Sequence, residues 1–355
     1  MMLSAAVAAA VGLLSCEMPN KPVKPLYRIA ALDIGGWAIN DAGQVVGTLE
    51  VAGDAFHASM WEYGRGTVDL GTLGGRYSRA ESINNLSHVV GDASIRSDKA
   101  QHPFLWSRGH GMISIGTLGG TNGEALGIND KEQVVGDAQI AGDTAFHAFL
   151  WERTSGMADL GTLGGTLSSA SAINNAGQVV GNSKIAGEKA APFFLQASHA
   201  FLWQRGSGMI DLGTLGGKDS DARSINELGQ VVGESKIAGD NESHAFLWEK
   251  SFGMIDLGTL GGKVSYARAI NNSGQVVGTS EMPGDKARHG FLWEKGWGML
   301  DLNTLIDPND PLFGKVTLQN VRGINAKGQI VVDCVFSFPA KSNSVLLSPA
   351  PGHLR

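Results

Sequence analysis

The chain has 355 residues, of which 50 are glycine and 17% are charged, and its formal net charge is −6. Glycine stands at about twice its usual share and charged residues are scarce, which is typical of many short strands joined by tight turns. The negative charge and the lack of any Lys/Arg block exclude the electrostatic footprint of a nucleic-acid-binding protein, so we predict no nucleic-acid partner.

The chain begins with an apolar stretch. Residues 3–14 read LSAAVAAAVGLL, which is short for a membrane span and typical of the hydrophobic region of an export signal, although no basic residue precedes it. The segment LLSC that ends at Cys16 is similar to a bacterial lipobox, whose cysteine is acylated. We therefore predict an export signal over residues 1–16 with Cys16 as the lipidation site. An ordinary cleaved signal peptide is the alternative.

A proline-rich segment follows. Residues 17–26 read EMPNKPVKPL, which predicts a short extended tether. Once Cys16 is lipidated or removed, Cys334 has no internal partner, and a disulfide between these two cysteines is the minor alternative.

One short pattern then recurs seven times. It is most complete as SYARAINNSGQVVG in residues 265–278, and every copy contains an Ile-Asn pair. Successive pairs lie 44 to 54 residues apart, a period that indicates one repeat architecture although the length alone suggests two domains. The pairs begin at Ile39, Ile83, Ile128, Ile173, Ile225, Ile270 and Ile324.

Each unit contains four strand-like runs. The first ends in the Ile-Asn pair, and a turn of Asn, Asp and Gly residues leads into the second, Gln-Val-Val-Gly. The third is HAFLW, copied without change in residues 147–151, 199–203 and 244–248, and the fourth is GMIDLGTLGG or a variant of it. β-Branched and aromatic residues bounded by Gly, Asn and Asp favour strands over helices.

The number of runs predicts a closed ring. Four short strands in each unit are typical of a propeller blade. The last unit lacks a fourth run after residues 344–348, and the missing run stands at the other end of the chain, where residues 27–34 read YRIAALDI. We predict an all-β fold, a seven-bladed β-propeller of four-stranded blades over residues 27–348, closed by the N-terminal strand in the C-terminal blade, with a tail at 349–355. An open solenoid is the alternative, and it would need polar caps.

Small residues mark the first run as the innermost strand. The residue before each isoleucine is Ala, Ser or Gly, and the residue three before it is Gly or Ala in every unit except the last, which has Val321. Because alternate side chains of a strand share one face, these positions form a crowded face that suits the strand nearest the central channel.

The combination of HAFLW, DLGTLGG and INN-x-GQVVG closely resembles the HAF repeat family of bacterial extracellular repeat proteins. The resemblance covers nearly all of the chain from Tyr27 to about Ser348. It implies export and a repeat architecture, and it implies no catalytic residues because the family has no established activity. The chain departs from the pattern in the HASMW of its first unit, at Ser114 where other units have Asp, and in the last unit, which lacks the His and the Trp.

Histidines and aspartates recur once per unit. A ring would hold equivalent residues too far apart to share a metal ion or to act as a pair of catalytic carboxylates, so we predict structural hydrogen bonds for both sets. No G-x-S-x-G elbow, P-loop, paired-cysteine zinc site or EF-hand loop occurs, and we predict no metal, no cofactor and no catalytic residue. The two sets are His57, His102, His147, His199, His244 and His289, and Asp69, Asp159, Asp211, Asp256 and Asp301.

Two further sets of polar residues lie in turns and loops. The Asn after each Ile is expected to hydrogen-bond its own turn, as Asn commonly does. The loop acids Asp54, Asp143, Asp240 and Asp285 leave calcium as a minor alternative, since each lacks a second carboxylate at the usual spacing.

Variation between the units falls on one face of the predicted ring. The connections from a fourth to the next first run read RYSR, TNGE, TLSS, KDSD and KVSY, whereas the hairpin turns of the other face barely change. Two insertions, residues 191–197 (APFFLQA) and 306–320, are expected on the same variable face. Scaffolds that carry recognition on loops commonly show this pattern.

The residue two before each isoleucine also varies. Three arginines on consecutive blades predict a basic arc near the channel mouth, able to bind a carboxylate or sulfate through two hydrogen bonds. With Glu81 they are our candidate ligand-binding residues. The alternative is that each arginine pairs with an acid of a neighbouring blade, such as Asp221 or Asp256. The seven positions are Trp37, Glu81, Leu126, Ser171, Arg223, Arg268 and Arg322.

These features predict a non-enzymatic, exported binding or scaffolding module in the periplasm, at the outer membrane or at the cell surface of a bacterium. Its partner would be an extracellular glycan, a small anion or a protein, and its only membrane contact would be the lipid anchor. The alternative is a polysaccharide hydrolase or lyase with its site at the channel mouth. An enzyme should place two unrepeated acids on the variable face, for which the candidates are Glu81, Glu124, Asp219 and Asp221.

Overall fold

The structure is a computed structural model that describes residue 24 and residues 26–53, 55–96, 98–186, 197–284, 287–339 and 342–351. The predicted signal, Cys16, most of the tether and residues 191–196 of the first insertion lie outside the described residues. Cys334 is buried and forms no disulfide within the described part of the chain. No described helix has the length and apolar character needed to cross a bilayer.

Seven antiparallel sheets of four strands surround a central channel, as predicted. Each blade uses its strands in chain order, with the Ile-Asn strand innermost. Blade 1 is β2 (Gly35–Ile39), β3 (Val45–Val51), β4 (Ala55–Glu62) and β5 (Gly66–Asp69). Blade 2 is β6 (Gly74–Ile83), β7 (Val89–Ile95), β8 (Gln101–Ser107) and β9 (Gly111–Ser114). Blade 3 is β10 (Gly119–Ile128), β11 (Val134–Ile140), β12 (Phe146–Glu152) and β13 (Gly156–Asp159).

The next three blades repeat this arrangement. Blade 4 is β14 (Gly164–Ile173), β15 (Val179–Ile185), β16 (Ser198–Gln204) and β17 (Gly208–Asp211). Blade 5 is β18 (Gly216–Ile225), β19 (Val231–Ile237), β20 (Ser243–Glu249) and β21 (Gly253–Asp256). Blade 6 is β22 (Ser265–Ile270), β23 (Val276–Glu281), β24 (Arg288–Glu294) and β25 (Gly298–Asp301), followed by a 3-10 helix at Leu302–Leu305.

Blade 7 closes the ring with strands from both ends of the chain. It contains β26 (Val316–Ile324), β27 (Ile330–Phe336) and β28 (Ser344–Pro349), and β1 (Tyr27–Ala31) pairs antiparallel with β28. The predicted closure is therefore confirmed. The second insertion also contacts β1, since the Ile29 N–H donates to Asp310 at 2.9 Å and the Asp307 N–H donates to the Tyr27 carbonyl at 2.8 Å.

Hydrophobic clusters fill the spaces between adjacent blades. One cluster joins Val90 and Leu105 of blade 2 to Phe149 and Trp151 of blade 3, so the apolar residues of the HAFLW run pack against the neighbouring blade. Burying a phenylalanine completely contributes about 1.5–3 kcal/mol, and five equivalent rings are fully buried in this way. They are Phe104, Phe149, Phe201, Phe246 and Phe291.

The glycine of the Gln-Val-Val-Gly run is required by close approach of the inner strand. The inner strand of blade 2 shifts register between Ala80 and Ser82, a β-bulge that brings the Arg79 carbonyl against the second strand. A Cβ at Gly91 would overlap that carbonyl oxygen, and a Cβ at Gly181 would meet the Ser169 carbonyl in the same way. The bulge is thus built into each repeat.

The asparagines of the Ile-Asn pairs join all seven blades in a closed circuit. The Asn40 Nδ2 donates to the Asn84 carbonyl at 3.1 Å, and the relay continues from blade to blade until the Asn325 Nδ2 donates back to the Asn40 carbonyl at 3.0 Å. Each side-chain oxygen accepts N–H groups of its own turn, as predicted; the bonds between blades were not predicted. The members of the circuit are Asn40, Asn84, Asn129, Asn174, Asn226, Asn271 and Asn325.

The recurring His residues of blades 1 to 6 form hydrogen bonds within their own blades, with Asp as the partner in all but blade 2. In blade 3, His147 Nδ1 lies 2.8 Å from Asp159, which also accepts the Gly161 N–H at 2.7 Å. Ser114 replaces the aspartate in blade 2 and contacts His102 at 3.0 Å. Within the described residues, no three His, Cys, Asp or Glu side chains form a group that could hold a metal ion.

Two of the four loop acids considered for calcium lie within the described chain. Asp143 accepts the Thr121 N–H at 2.6 Å, and Asp240 accepts the Lys218 N–H at 2.7 Å. Both carboxylates therefore fasten the loop between the second and third strands to the start of the first strand. Asp54 and Asp285 lie outside the described residues.

Candidate functional site

The channel contains a cavity of about 240 Å³, here called the upper cavity, on the side of the variable loops. The residues two before each isoleucine all line it, together with the small residue that follows each of them and five of the isoleucines. The variable positions of otherwise similar blades therefore meet in one place. They are Trp37, Glu81, Leu126, Ser171, Arg223, Arg268 and Arg322.

A second layer of residues lies next to the upper cavity, and both of its positions are charged in blades 2, 3 and 5. It consists of the residue four before each isoleucine and the residue opposite it on the second strand. In blade 2 these are Arg79 and Asp92, and in blade 3 they are Glu124 and Asp137. This layer was not predicted from the sequence as a set. The signal was present, because these two positions also vary between units that otherwise repeat closely.

The blade 2 and blade 3 side of the upper cavity is acidic. Arg79 contacts Glu81 at 2.7 Å, Asp92 at 3.1 Å and Glu124 at 3.1 Å. Three carboxylates therefore share one guanidinium. Of the four acids considered for an enzyme, Glu81 and Glu124 therefore lie close together, since both contact Arg79. The sequence did not predict this proximity.

The other two acids considered for an enzyme are held elsewhere. Asp221 pairs with Arg223 at 2.8 Å, and Asp219 accepts the Ser198 N–H at 2.9 Å. Neither lies among the residues that line the upper cavity.

Glu81 has an unusual protonation equilibrium. Burial raises its pKa to about 7, the charge of Arg79 acts in the opposite direction, and the charges of Asp92 and Glu124 raise the pKa further. Its side chain is 8% exposed. Perturbed carboxyl groups of this kind are concentrated at functional sites.

The opposite side of the cavity is basic, and two of its arginines are paired. Arg223 contacts Asp221 at 2.8 Å and Glu234 at 3.2 Å, and Arg322 contacts Asp333 at 2.6 Å. These acids belong to the arginine's own blade. The alternative that the arginines pair with protein carboxylates, for which Asp221 was named, holds for both of them. Only the expected source was wrong, because the partners come from the arginine's own blade: Asp221 from the first strand, and Glu234 and Asp333 from the second.

Trp37 connects the two sides. The Arg322 guanidinium lies 4.1 Å from the centre of the Trp37 ring, and the Arg79 guanidinium lies 5.9 Å from it. These cation–π contacts fix the ring between the basic and the acidic side.

Arg268 is the third arginine of the predicted arc, and it differs from the other two. It has no hydrogen bond or ion pair among the described residues, although it lines the upper cavity. Burial lowers its pKa, Arg223 and Arg322 lower it further, and the charges of Glu81 and Asp221 oppose these effects. A guanidinium carries five N–H donors, so this cation has free donors facing the cavity.

Two carboxyl groups with raised pKa values should make stability depend on pH. Burial raises the pKa of Asp137 to about 7, as it does for Glu81. A folded-state pKa above the unfolded value gives stability that is fully present below about pH 4 and is lost as pH rises through about 7. Urea unfolding of the wild type should show this loss. The free energy of unfolding of the double variant Glu81→Gln/Asp137→Asn, relative to that of the wild type, should rise by about 2 kcal/mol from about pH 5 to about pH 8.

The control for this pH experiment is Glu50→Gln, which changes an exposed carboxylate of blade 1. It should follow the wild type at every pH. A double variant whose stability runs parallel to the wild type over the whole range would contradict the assignment.

No protein-family model matches the chain, and no curated protein matches its sequence. Among solved structures, the β-propeller domain of the Trilobed protease from Pyrococcus furiosus superimposes with a TM-score of 0.56 at 10% identity, covering 91% of this chain and 95% of that one. These likenesses show the fold alone. The Pyrococcus domain is described as having an open velcro topology, whereas β1 pairs with β28 in the present propeller.

Two bacterial propellers are more distant. A gluconolactonase from Xanthomonas campestris, XC5397, has a TM-score of 0.41 at 9% identity and covers 93% of this chain and 100% of its own. TolB from Acinetobacter baumannii has a TM-score of 0.43 at 9% identity, with 87% of this chain and 80% of that chain covered.

Proposed function

We propose that this propeller is an exported binding module that takes the acidic group of a small anion or of an acidic glycan in the upper cavity. The observation that carries the proposal is the unpaired Arg268 between the paired Arg223 and Arg322. A carboxylate or sulfate would accept two hydrogen bonds from this guanidinium and offset the charge that crowds it.

The electrostatics of the basic side favour an anion at Arg268. The carboxylates of Asp221, Glu234 and Asp333 largely neutralise Arg223 and Arg322. Arg268 keeps its charge in a partly dehydrated site where Coulomb interactions are stronger than in water. Its nearest opposite charges, Glu81 and Asp221, act on it without a direct ion pair. An incoming anion therefore meets one cation that has no competing partner to displace.

The size of the upper cavity limits the bound group. Its volume of about 240 Å³ lies below the range usual for drug-sized ligands. An inorganic anion or a single acidic sugar residue fits this volume. A longer glycan would have to leave the rest of its chain on the variable face.

Export rests on the sequence motifs. The HAF-repeat resemblance and the apolar residues 3–14 support placement outside the cytoplasm, in the periplasm, at the outer membrane or at the cell surface. A lipid on Cys16 would be its membrane anchor. A protein partner is the other candidate, and it would bind the variable face near residues 191–197.

Isothermal titration with sulfate and with D-galacturonate tests the proposal. The wild-type protein should bind at least one of them, and Arg268→Gln should weaken binding by about tenfold to a hundredfold because charge-assisted hydrogen bonds are lost. Added salt should weaken binding further. If Arg268→Gln binds sulfate and D-galacturonate as tightly as the wild type does, the proposal is wrong.

The matched control for this titration is Arg288→Gln. Arg288 lies in the same blade, its side chain is 53% exposed, and it contacts Glu281 at 3.1 Å. Its loss changes the net charge as Arg268→Gln does and leaves the upper cavity intact. Wild-type affinity is expected.

A lyase acting on acidic polysaccharide is the second candidate, favoured by the electrostatic coupling of Glu81 to Arg268. Arg268 would neutralise the uronate carboxylate, and the Glu81 carboxylate would take the proton from the adjacent carbon. The glycosidic C–O bond would then break, a C=C bond would form, and the leaving oxygen would take a proton from water. Ultraviolet absorbance of the unsaturated product, lost in Glu81→Gln while galacturonate still binds, would establish this reaction in place of binding alone.

A further inference from the structure

A second cavity lies outside the channel, between blades 3 and 4 on the side of the variable loops. Its volume is about 510 Å³, within the range of small-molecule sites. We call it the outer groove and define it by Gln101, Glu124, Asp137, Phe146, Leu167 and Ser169. The groove differs from the upper cavity in combining an exposed aromatic ring with buried polar groups.

We propose that the outer groove is a second ligand site, which binds a neutral sugar or a similar polyol. Asp137 is 9% exposed, and its carboxyl is hydrogen-bonded to the Ser169 hydroxyl. The Gln101 amide belongs to the same lining. Such groups accept from and donate to hydroxyls. The Phe146 ring, which is 36% exposed, offers a flat apolar surface to the C–H face of a sugar ring.

A hydrogen bond that closes the equivalent place in blades 2 and 4 is missing at the outer groove. At the first residue of the third strand, the Gln101 N–H donates to Asn122 of the next blade at 3.0 Å, and the Ser198 N–H donates to Asp219 at 2.9 Å. The equivalent pair is Phe146 and Leu167, and leucine has no acceptor. No described side chain accepts from the Phe146 N–H, which leaves a backbone donor for a ligand oxygen.

The charge of the lining favours a neutral ligand. The Glu124 carboxylate is held by Arg79 at 3.1 Å. Burial raises the pKa of Asp137 to about 7, so this carboxyl is partly protonated at neutral pH. Lys184 also lines the groove, but it already interacts with another group of the protein, unlike Arg268 in the upper cavity. An acidic sugar would therefore meet two carboxyl groups and a cation that is already engaged.

Leu167→Asp is the sharpest test, because it gives blade 4 the residue that blade 5 has at this position in Asp219. The new carboxylate should accept the Phe146 N–H and close the groove. Saturation-transfer NMR on the full chain, with D-glucose, D-galactose, D-mannose and N-acetyl-D-glucosamine at millimolar concentration, should show binding of at least one sugar to the wild type. We expect that signal to vanish in Leu167→Asp and the affinity to fall about tenfold in Phe146→Ala.

Matched variants separate this site from the upper cavity and from a general loss of structure. Phe56→Ala removes the equivalent ring of blade 1, which is 47% exposed, and should bind sugar like the wild type. Arg268→Gln should keep sugar binding, and Leu167→Asp should keep sulfate or galacturonate binding. The proposal is overturned if none of the four sugars binds to the wild type, or if binding survives both Leu167→Asp and Phe146→Ala.

Discussion

Replacing Asn271 by Asp will lower the free energy of unfolding by about 3 kcal/mol or more, whereas the same replacement at the adjacent Asn272 will change it by less than about 0.5 kcal/mol. Asn271 belongs to the asparagine circuit and is 5% exposed. Its Nδ2 donates to the Asn325 carbonyl at 3.1 Å and to Gln275 at 2.7 Å. A carboxylate there would place a buried negative charge against two oxygen acceptors.

The neighbouring residue makes a strict control. Asn272 is exposed, and its Oδ1 accepts the Glu227 N–H at 3.0 Å, a bond that a carboxylate can also accept. Urea denaturation of the two variants at neutral pH measures the difference. The gap should narrow at low pH, where protonation of the introduced carboxyl removes the charge and restores one donor. Equal stability of the two variants would show that the circuit contributes little.

Deleting residues 1–31 will lower the free energy of unfolding by about 5 kcal/mol, a large share of the stability of an ordinary domain. The deletion removes β1 and with it Tyr27, which is 1% exposed and packs in the blade 7 cluster. The ladder between β1 and β28 is lost as well. Because an uncovered β28 is a free edge, the shortened protein should also associate in solution.

Deleting residues 1–23 is the control for this experiment, because it keeps every contact that the structure describes. Its melting temperature should equal that of the full chain, and its sedimentation should show no new association. Equal melting temperatures for the two shortened chains would contradict the role of β1 in closing the ring.

The fold was predictable because the features that determine it are local and repeated. The Ile-Asn pairs set the blade count, and the small residues before each isoleucine identified the inner strands. Closure followed from the single unmatched run at residues 27–34. These conclusions needed only the period of the pattern, and the structure confirms them.

The strands that carry the site could be predicted from the sequence. Which of its arginines form ion pairs with carboxylates of the protein could not. The sequence grouped Arg223, Arg268 and Arg322 by position, and all three line the upper cavity. Which of them keeps free donors depends on whether the second strand of its own blade supplies a carboxylate. Blades 5 and 7 supply Glu234 and Asp333. Blade 6, which carries Arg268, has Thr279 at the equivalent place, opposite Tyr266, and so supplies no carboxylate there.

The outer groove was beyond sequence analysis for a related reason. It depends on Phe146 of one blade facing Leu167 of the next, and the distance between blades follows from packing of the whole ring. The insertion at 306–320 shows the same limit. It was expected only as a variable-face segment, and the structure shows that Asp307 and Asp310 hold β1 in place.

A crystal of the protein soaked in selenate will show whether an anion binds to Arg268 inside the channel. Selenate has the shape and charge of sulfate, and selenium gives an anomalous signal that identifies its position. We expect an anomalous peak in the upper cavity within hydrogen-bond distance of the Arg268 guanidinium, absent from crystals of Arg268→Gln. Selenate bound only elsewhere, with the upper cavity empty and Arg268 paired to a carboxylate of the protein, would contradict this expectation.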